Sequence, residues 1–216
     1  MTLTADLFFS FRSPYSYLAV GRYRQLAEDY AVDIALRPVY PLAIREPDFF
    51  ERNHPNWLRY TMLDMFRVAQ FEGIPFGPPR PDPIVQDVAT RKIAADQPYV
   101  RRITRLGQAA ARRGKGLAFA AEAARLIWGG AKNWHEGGHL AGAAQRAGLE
   151  LAELDAEAES DAEALDAEIG TNQRALEAAG HWGVPTLVFD GEPFFGQDRV
   201  AMAKWRMEQR GLLPRQ

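Results

Sequence analysis

Two short segments near opposite ends of the chain place the strongest constraint on its fold. The first, FFSFRSPYSY at residues 8–17, passes from an apolar stretch directly into a helix start. The second, WGVPTLVF at residues 182–189, places a proline at the head of another apolar stretch. Ser13 suits a helix N-cap and Pro14 suits the first helical position, where a missing N–H leaves no hydrogen bond unmade. Alone, this start predicts only a helix, whereas the pair predicts two elements that meet at one site.

The rest of the pattern predicts an α/β chain with strands near both ends and helices between them. Hydrophobic periodicity and turn residues predict strands over residues 3–11, 32–38, 184–189 and 193–195, with a turn at Asp190 and Gly191. The same signals predict helices over residues 14–29, 56–72, 98–113, 116–128, 133–148, 171–179 and 198–210. The order is therefore β-α-β, a long helical stretch, then β-β-α.

Composition excludes several classes of function. The chain contains no cysteine, so it can form no disulfide and carries no thiol nucleophile of its own. A formal net charge of −2 gives no basic field for nucleic acid. No apolar run approaches the ~18 residues of a membrane span, and the N-terminus lacks the pattern of a secretory signal. We therefore expect a cytoplasmic protein that binds neither nucleic acid nor membranes.

Four stretches carry a resemblance to a known family. They are FRSPYSYLA (11–19), RPV (37–39), GIPF (73–76) and GVPTLVFDGEPFFGQDR (183–199). In this order and spacing they resemble the 2-hydroxychromene-2-carboxylate isomerase family, which is related to the kappa-class glutathione transferases. The resemblance implies a DsbA-like thioredoxin core, built from residues 1–40 and 181–216, that is split by an all-helical insertion over residues 41–180.

The same resemblance implies glutathione as cofactor. Ser13 and Ser16 stand at the two positions that dithiol enzymes fill with cysteine. A helix N-terminus favours an anion, so a glutathione thiolate could lie there and accept the Ser13 hydroxyl. Pro185 is expected in the cis form, which exposes the main chain of Val184 for pairing with the cysteinyl unit of the tripeptide.

Three further positions are implied as contacts to the two ends of glutathione. The resemblance places Gln197 and Asp198 against the γ-glutamyl end, with Asp198 also as N-cap of the last helix. Asn53 stands where a contacting asparagine is expected. Trp57 occupies the position of an expected lysine, which puts carboxylate recognition in doubt, and Arg12 beside the site could replace that charge.

The function implied is the isomerisation of 2-hydroxychromene-2-carboxylate, or a related aromatic-degradation intermediate, by reversible thiolate addition in a homodimer. Two alternatives stay open: a kappa-like glutathione transferase, and a non-catalytic glutathione- or peptide-binding relative. A third is a zinc protease, because the segment from His135 to His139 fits H-E-x-x-H. Its two glycines disfavour a helix, and Asn133 with Glu136 could instead form an N-x-x-E cap, so we expect no metal.

Other conspicuous side chains have a structural interpretation. The basic cluster over residues 101–115 and the acidic run over residues 150–168 are interpreted as solvated helix faces that could attract each other or a partner subunit. Trp57, Trp128 and Trp134 are candidate walls of an aromatic pocket, although core packing is the simpler reading of each. His181 is expected to pack at the domain junction, and Phe194 and Phe195 in the core.

Overall fold

A computed structural model describes residues 2–87, 92–136 and 138–215. The strands are β1 (Leu3–Phe9), β2 (Val32–Pro38), β3 (Thr186–Phe189) and β4 (Glu192–Phe195). The helices are α1 (Pro14–Asp29), α2 (Leu42–Arg45), α3 (Phe49–Arg52), α4 (Pro55–Glu72), α5 (Pro98–Arg112), α6 (Gly116–Trp128), α7 (His139–Arg146), α8 (Leu151–Ser160), α9 (Ala162–Ala178) and α10 (Val200–Glu208). A 3₁₀ turn (Gln197–Arg199) leads into α10.

The strands form one mixed sheet in the order β2-β1-β3-β4. β1 runs parallel to β2 through the α1 crossover and antiparallel to β3, which turns back into β4. Leu7 of β1 lies opposite Leu36 on one side and Leu187 on the other, and all three side chains are buried. The predicted β-α-β and β-β-α units are therefore confirmed.

The predicted hairpin turn at Asp190 and Gly191 is confirmed too. Both residues have positive φ, 52° and 78°. Two consecutive positive φ values are typical of the type I′ turn, whose twist matches that of the flanking strands. The turn is thus built by the two residue types that tolerate this backbone best.

Most predicted helices form with nearly the predicted bounds, but three regions differ. The proline-rich stretch after residue 41 contains the short helices α2 and α3, which were not predicted. The helix expected from residue 133 begins only at His139. The helix predicted over residues 171–179 begins already at Ala162, and the acidic run before it, interpreted as a helix face, forms α8 and the start of α9 on either side of a break at Asp161.

One large buried cluster joins the sheet to the helices. It contains Leu7 and Phe9 of β1, and it extends to Phe119 of α6 and Leu165 of α9. A Cβ on Gly107 of α5 would lie 2.5 Å from the Phe11 ring, so this close approach of helix to sheet needs glycine. The cluster contains residues from both sides of the predicted boundaries at residues 40 and 181. The division into two domains stays a prediction.

Ion pairs join α5 to α8 and α9. Arg102 pairs with Asp155 at 2.7 Å and Arg105 with Asp166 at 2.6 Å. Burial alone would raise the pKa of Asp166, but hydrogen bonds from Arg105 and the Tyr40 hydroxyl lower it overall. The basic cluster and the acidic run therefore face each other within the chain.

A search for helices long and apolar enough to cross a bilayer finds none in the described part of the chain.

Candidate functional site

Ser13 ends the segment between β1 and α1 as predicted, at the N-cap of α1. Its backbone is extended, with φ −86° and ψ 118°, and its Oγ accepts the N–H of Ser16 at 3.2 Å. Pro14 occupies the first helical position. The Ser13 side chain is half-buried, so its hydroxyl is not sealed beneath other residues.

The proline loop from the far end of the sequence lies directly against Ser13. The Val184–Pro185 peptide bond is cis, as the resemblance implies. The Ser13 hydroxyl donates to the Val184 carbonyl at 3.3 Å, across 171 positions of sequence. The two segments that the sequence analysis paired therefore meet at one place, between the start of α1 and the start of β3.

Two N–H groups at this place lack a hydrogen-bond partner within the described residues. Pro14 has no N–H, and the N–H groups of Ser13, Ser16 and Tyr17 bond to Ser10 and Ser13, which leaves that of Tyr15. The second unpaired group is the N–H of Val184. Both are donors, so the site suits a ligand that carries acceptor or anionic atoms.

Ser16 differs sharply from Ser13, although both stand at cysteine positions of dithiol enzymes. It is completely buried, and its Oγ has no hydrogen-bond partner within the described part of the chain. The same holds for the Oγ of Ser10, which is 1% exposed. Of these three serines, Ser13 is therefore the one that can present a hydroxyl to a ligand.

Gln197 lies in the 3₁₀ turn after β4, where Arg22 of α1 holds it. The Arg22 Nη2 donates to the Gln197 carbonyl at 2.6 Å and to its Oε1 at 2.8 Å. No hydrogen bond from the Gln197 Nε2 is seen within the described part of the chain, so its hydrogens can donate to a ligand. This arrangement suits recognition of a carboxylate.

The expectation that Asp198 is the N-cap of the last helix is wrong. α10 begins at Val200 with Arg199 as its N-cap, and no side chain caps it. Asp198 lies within the 3₁₀ turn, its side chain is 58% exposed, and it pairs with Arg199. The carboxylate is therefore not used as a helix cap and stays accessible to an ammonium group.

Asn53 and Trp57 both contact Phe49 of α3. Asn53 ends α3, and its Nδ2 donates to the Phe49 carbonyl at 2.5 Å, which leaves Oδ1 as an acceptor. Trp57 lies against the Phe49 ring, with ring centroids 5.6 Å apart. Phe49 in turn contacts Trp182, next to the proline loop, at 5.4 Å.

Arg12, the residue next to Ser13, is an ion-pair partner within the fold. Its Nε and Nη2 donate to the two carboxylate oxygens of Asp82 at 2.7 and 2.8 Å. The guanidinium also lies over the Trp128 ring, 5.6 Å from the centroid. The Arg12 charge is thus compensated by Asp82, which weakens the idea that it replaces the missing lysine.

Sequence reasoning missed the stack of rings that borders the proline loop. His181 is stacked on Phe195, with centroids 3.9 Å apart, and on Trp182 at 5.4 Å, each at an interplanar angle of 19°. Trp182 is 45% and Phe195 44% exposed, so the core placement expected for Phe195 is wrong, whereas Phe194 is buried. The only sequence signal was the aromatic pair His181-Trp182 directly before the loop.

The two histidines of the H-E-x-x-H pattern do not lie on successive turns of one helix. His139 is the first residue of α7, whereas His135 precedes the helix in a turn; Gly137 between them lies outside the described residues. Asn133 has a φ of 51° and the N-cap of α7 is Gly138, so the expected N-x-x-E cap is wrong as well. No cluster of metal-ligating side chains is found among the described residues.

Trp128 and Trp134 are core residues. Trp128 is 2% and Trp134 1% exposed. Their Nε1 groups donate to the carbonyls of Phe11 and Pro81 at 3.0 and 2.9 Å. Neither can serve as the exposed wall of a pocket in this conformation.

Comparisons with known proteins agree with this architecture. The structure of a 2-hydroxychromene-2-carboxylate isomerase is similar, with a TM-score of 0.69, 24% identity, and coverage of 96% of this chain and 95% of that one. A probable DsbA oxidoreductase from Streptomyces coelicolor aligns with a TM-score of 0.66 and 16% identity, over 96% of this chain and 89% of that one.

A third similar structure is the cytosolic disulfide reductase DsbM from Pseudomonas aeruginosa with GSH. Its TM-score is 0.58 at 18% identity, over 95% of this chain and 100% of that one. No curated protein matches the chain. The sequence matches the family described as DSBA-like thioredoxin domain over residues 4–208. Together with the sheet order and the cis-proline loop, this match shows that the chain belongs to the DsbA-like thioredoxin family.

Proposed function

We propose that this protein is a glutathione-dependent isomerase that acts on 2-hydroxychromene-2-carboxylate or a related aromatic-degradation intermediate. The observation that carries the proposal is the contact of the Ser13 hydroxyl with the Val184 carbonyl beside Pro185, in a chain without cysteine. The thiol-exchange position of the fold is present, whereas the thiol is not. A cofactor that brings its own sulfur would restore the chemistry of the position.

The similar structures support this choice of cofactor and reaction. One is an isomerase of this name, and another is a disulfide reductase whose structure includes GSH. The unpaired N–H groups of Tyr15 and Val184 are donors, and an extended tripeptide with two carboxylates and peptide carbonyls supplies acceptors. The residues present therefore fit glutathione.

When bound, glutathione would supply the nucleophilic sulfur that adds to a conjugated double bond and leaves again after rotation about the resulting single bond. Ser13 would turn its hydroxyl from the Val184 carbonyl to the sulfur, because the present 3.3 Å hydrogen bond is long and therefore weak. The Tyr15 N–H and the dipole of α1 favour the thiolate form. Thiols in such positions have pKa values of about 3.5–7.5 instead of about 8.5.

The outer residues would bind the ends of the tripeptide. The Nε2 of Gln197 can donate to the γ-glutamyl carboxylate, and Arg22 fixes the orientation of the amide through Oε1. Asp198 can accept from the ammonium group, and the Oδ1 of Asn53 can accept from the glycyl N–H.

The protein would act as a cytoplasmic homodimer.

Glutathione titration and an isomerase assay together test the proposal. We expect saturable binding, the ultraviolet absorbance of a bound thiolate, and isomerisation that needs glutathione but returns it unchanged. Consumption of glutathione with an electrophile would assign a transferase instead. Absence of binding would leave a non-catalytic relative and contradict the proposal.

A further inference from the structure

The loop that carries Val184 is held by hydrogen bonds on both sides of that residue. The Gly183 N–H donates to the His181 Nδ1 at 2.8 Å, and the Gly183 carbonyl accepts the Thr186 hydroxyl at 2.7 Å. The Pro185 carbonyl accepts the N–H of Gly196 at 2.9 Å. The backbone groups that flank Val184 are thus occupied, while its own N–H is left for a ligand.

These bonds also set the direction of the Val184 N–H. The Gly183–Val184 peptide bond is trans, so its C=O and N–H point to opposite sides. The C=O points at the hydroxyl of Thr186, a residue with no exposed surface. The Val184 N–H therefore points away from this buried hydroxyl. Rotation of the peptide groups on either side of Gly183 would change the direction of the Val184 N–H.

The His181 ring has little freedom to turn away from Gly183. Phe195 and Trp182 stack on it at 3.9 and 5.4 Å, nearly parallel to its plane. A Cβ on Gly183 would lie 2.6 Å from the Phe195 ring and 3.0 Å from the His181 Cε1. The histidine, the phenylalanine and the loop are therefore packed to contact, and the Nδ1 is held at the Gly183 N–H.

We propose that His181 is a positioning residue, whose neutral ring accepts the Gly183 N–H and thereby holds the Val184 main chain ready for glutathione. The inference rests on the proposed function. The arrangement is the counterpart of an Asx turn, in which an asparagine side chain accepts the N–H two residues further on. Asparagine should therefore replace the hydrogen bond of His181, although it lacks the ring.

Protonation of His181 should release the loop. A neutral imidazole has one acceptor nitrogen, whereas both nitrogens of the imidazolium donate, so the Gly183 N–H would lose its partner. Burial lowers the pKa of His181 below its ordinary value, which keeps the ring neutral at pH 7. As the pH falls through that pKa, glutathione affinity should fall with it.

Charged groups on the surrounding elements could also contribute to a pH profile. The Arg45 Nη2 of α2 donates to the Trp182 carbonyl at 3.0 Å, and Glu177 lies near the end of α9. Glu192 and Asp198 lie on either side of Phe195 in the chain. All four are present in every variant of His181, so a difference between variants isolates the histidine.

Two substitutions separate the hydrogen bond from the ring. His181→Asn keeps an acceptor without the ring, and His181→Phe keeps a ring without the acceptor. His139→Asn at the exposed start of α7 is the control for loss of a histidine elsewhere. The probe is S-methylglutathione, which has no thiol to titrate, and its dissociation constant is measured by calorimetry between about pH 5 and pH 8.

We expect wild type and His139→Asn to bind more weakly toward acid pH, and both His181 variants to lose that dependence. At neutral pH, His181→Asn should bind within about twofold of wild type and His181→Phe about five- to tenfold more weakly, since one neutral hydrogen bond is lost. In the isomerase assay, His181→Phe should raise KM for glutathione and change kcat little. Wild-type affinity and pH slope in His181→Phe would overturn the inference.

Hydrogen exchange of the Gly183 amide, followed by NMR, tests the positioning role of His181 without any ligand. Exchange should be slow in wild type and His181→Asn and about tenfold faster in His181→Phe. Equal exchange in all three proteins would overturn the positioning role even if glutathione binds. Failure of wild type to bind glutathione, with the expected exchange pattern, would instead refute the proposed function and leave the loop contact intact.

Discussion

The inner and outer parts of the candidate site differ in what holds their residues in place. The inner contact, formed by Ser13, Val184 and Pro185, joins the cap of a helix to the entry of a strand through backbone geometry. The outer positions, Asn53, Gln197 and Asp198, are side chains on short helices and turns with partners of their own. The inner contact follows from the fold itself, whereas each outer position depends on local side-chain partners.

This difference suggests a division of work within the site. The inner contact lies where the sulfur would react, so changes there should lower turnover. The outer positions would contact the ends of glutathione, far from the reacting atoms, so changes there should weaken binding and leave turnover at saturation nearly intact. The following substitutions test that division.

The largest effect is expected from Ser13→Ala. Loss of the hydroxyl removes a donor to the sulfur, and comparable losses of one stabilising donor lower kcat by about 100-fold or more. The lost cap should lower the free energy of unfolding by about 1 kcal/mol. Steady-state kinetics and urea unfolding measure the two effects.

Ser16→Ala is the matched control for Ser13→Ala. The Ser16 Oγ is fully buried and has no hydrogen-bond partner within the described part of the chain. Its removal should leave kcat near wild type and stability unchanged or slightly higher, because no hydrogen bond is lost. Similar losses in both variants would break the distinction between the two serines.

Gly183→Ala should weaken glutathione binding about tenfold and also destabilise the fold. The new Cβ would lie 2.6 Å from the Phe195 ring, so the loop or the ring must shift. Such overpacking costs about 1–3 kcal/mol of unfolding free energy. Gly170→Ala in α9 is the control, because its Cβ would meet only the flexible Arg174 Nη1 at 3.5 Å. The control should gain about 0.5–1 kcal/mol.

Gln197→Ala is expected to lower glutathione affinity by about fivefold, which corresponds to the loss of one ordinary hydrogen bond from a half-buried side chain. Arg22→Met should have a similar effect, because Arg22 orients Gln197 through two hydrogen bonds. The double variant should bind no more weakly than Gln197→Ala. Additive losses would show that Arg22 acts on the ligand independently of Gln197.

Asn53→Ala is expected to have the smallest effect, about twofold or less in affinity, because the Oδ1 would accept only one hydrogen bond between neutral groups, from the glycyl N–H. Calorimetry with glutathione measures it. A loss greater than that of Gln197→Ala would reverse the proposed order of the outer positions.

The same contrast explains which parts of the site were predictable from sequence. α1 begins at Pro14 and ends at Asp29 as predicted, because its start is encoded by neighbouring residues. The inner contact was predicted from the family resemblance, which its two segments carry in residues that are close together in sequence. Short-range rules thus recover elements whose ends are set by the residues that form them.

Some failures involve partners that are distant in sequence, and others involve a backbone geometry that the residue types did not predict. The pairing of Arg12 with Asp82 spans 70 positions, and the His181 stack needs Phe195 from β4. α7 begins late because Asn133 adopts a positive φ and breaks the expected helix. Asp198 has the residue type of an N-cap, but the chain forms a 3₁₀ turn there. In each case tertiary contacts or backbone geometry overrode a local preference.

The contrast between half-buried Ser13 and fully buried Ser16 has an evolutionary consequence. Each side chain differs from cysteine in a single atom, and the backbone around them is that of a DsbA-like thioredoxin domain. One exchange of oxygen for sulfur at each position would restore a vicinal dithiol on an unchanged scaffold. Ancestry in which such a pair was lost, and an external thiol recruited in its place, therefore requires only two point substitutions.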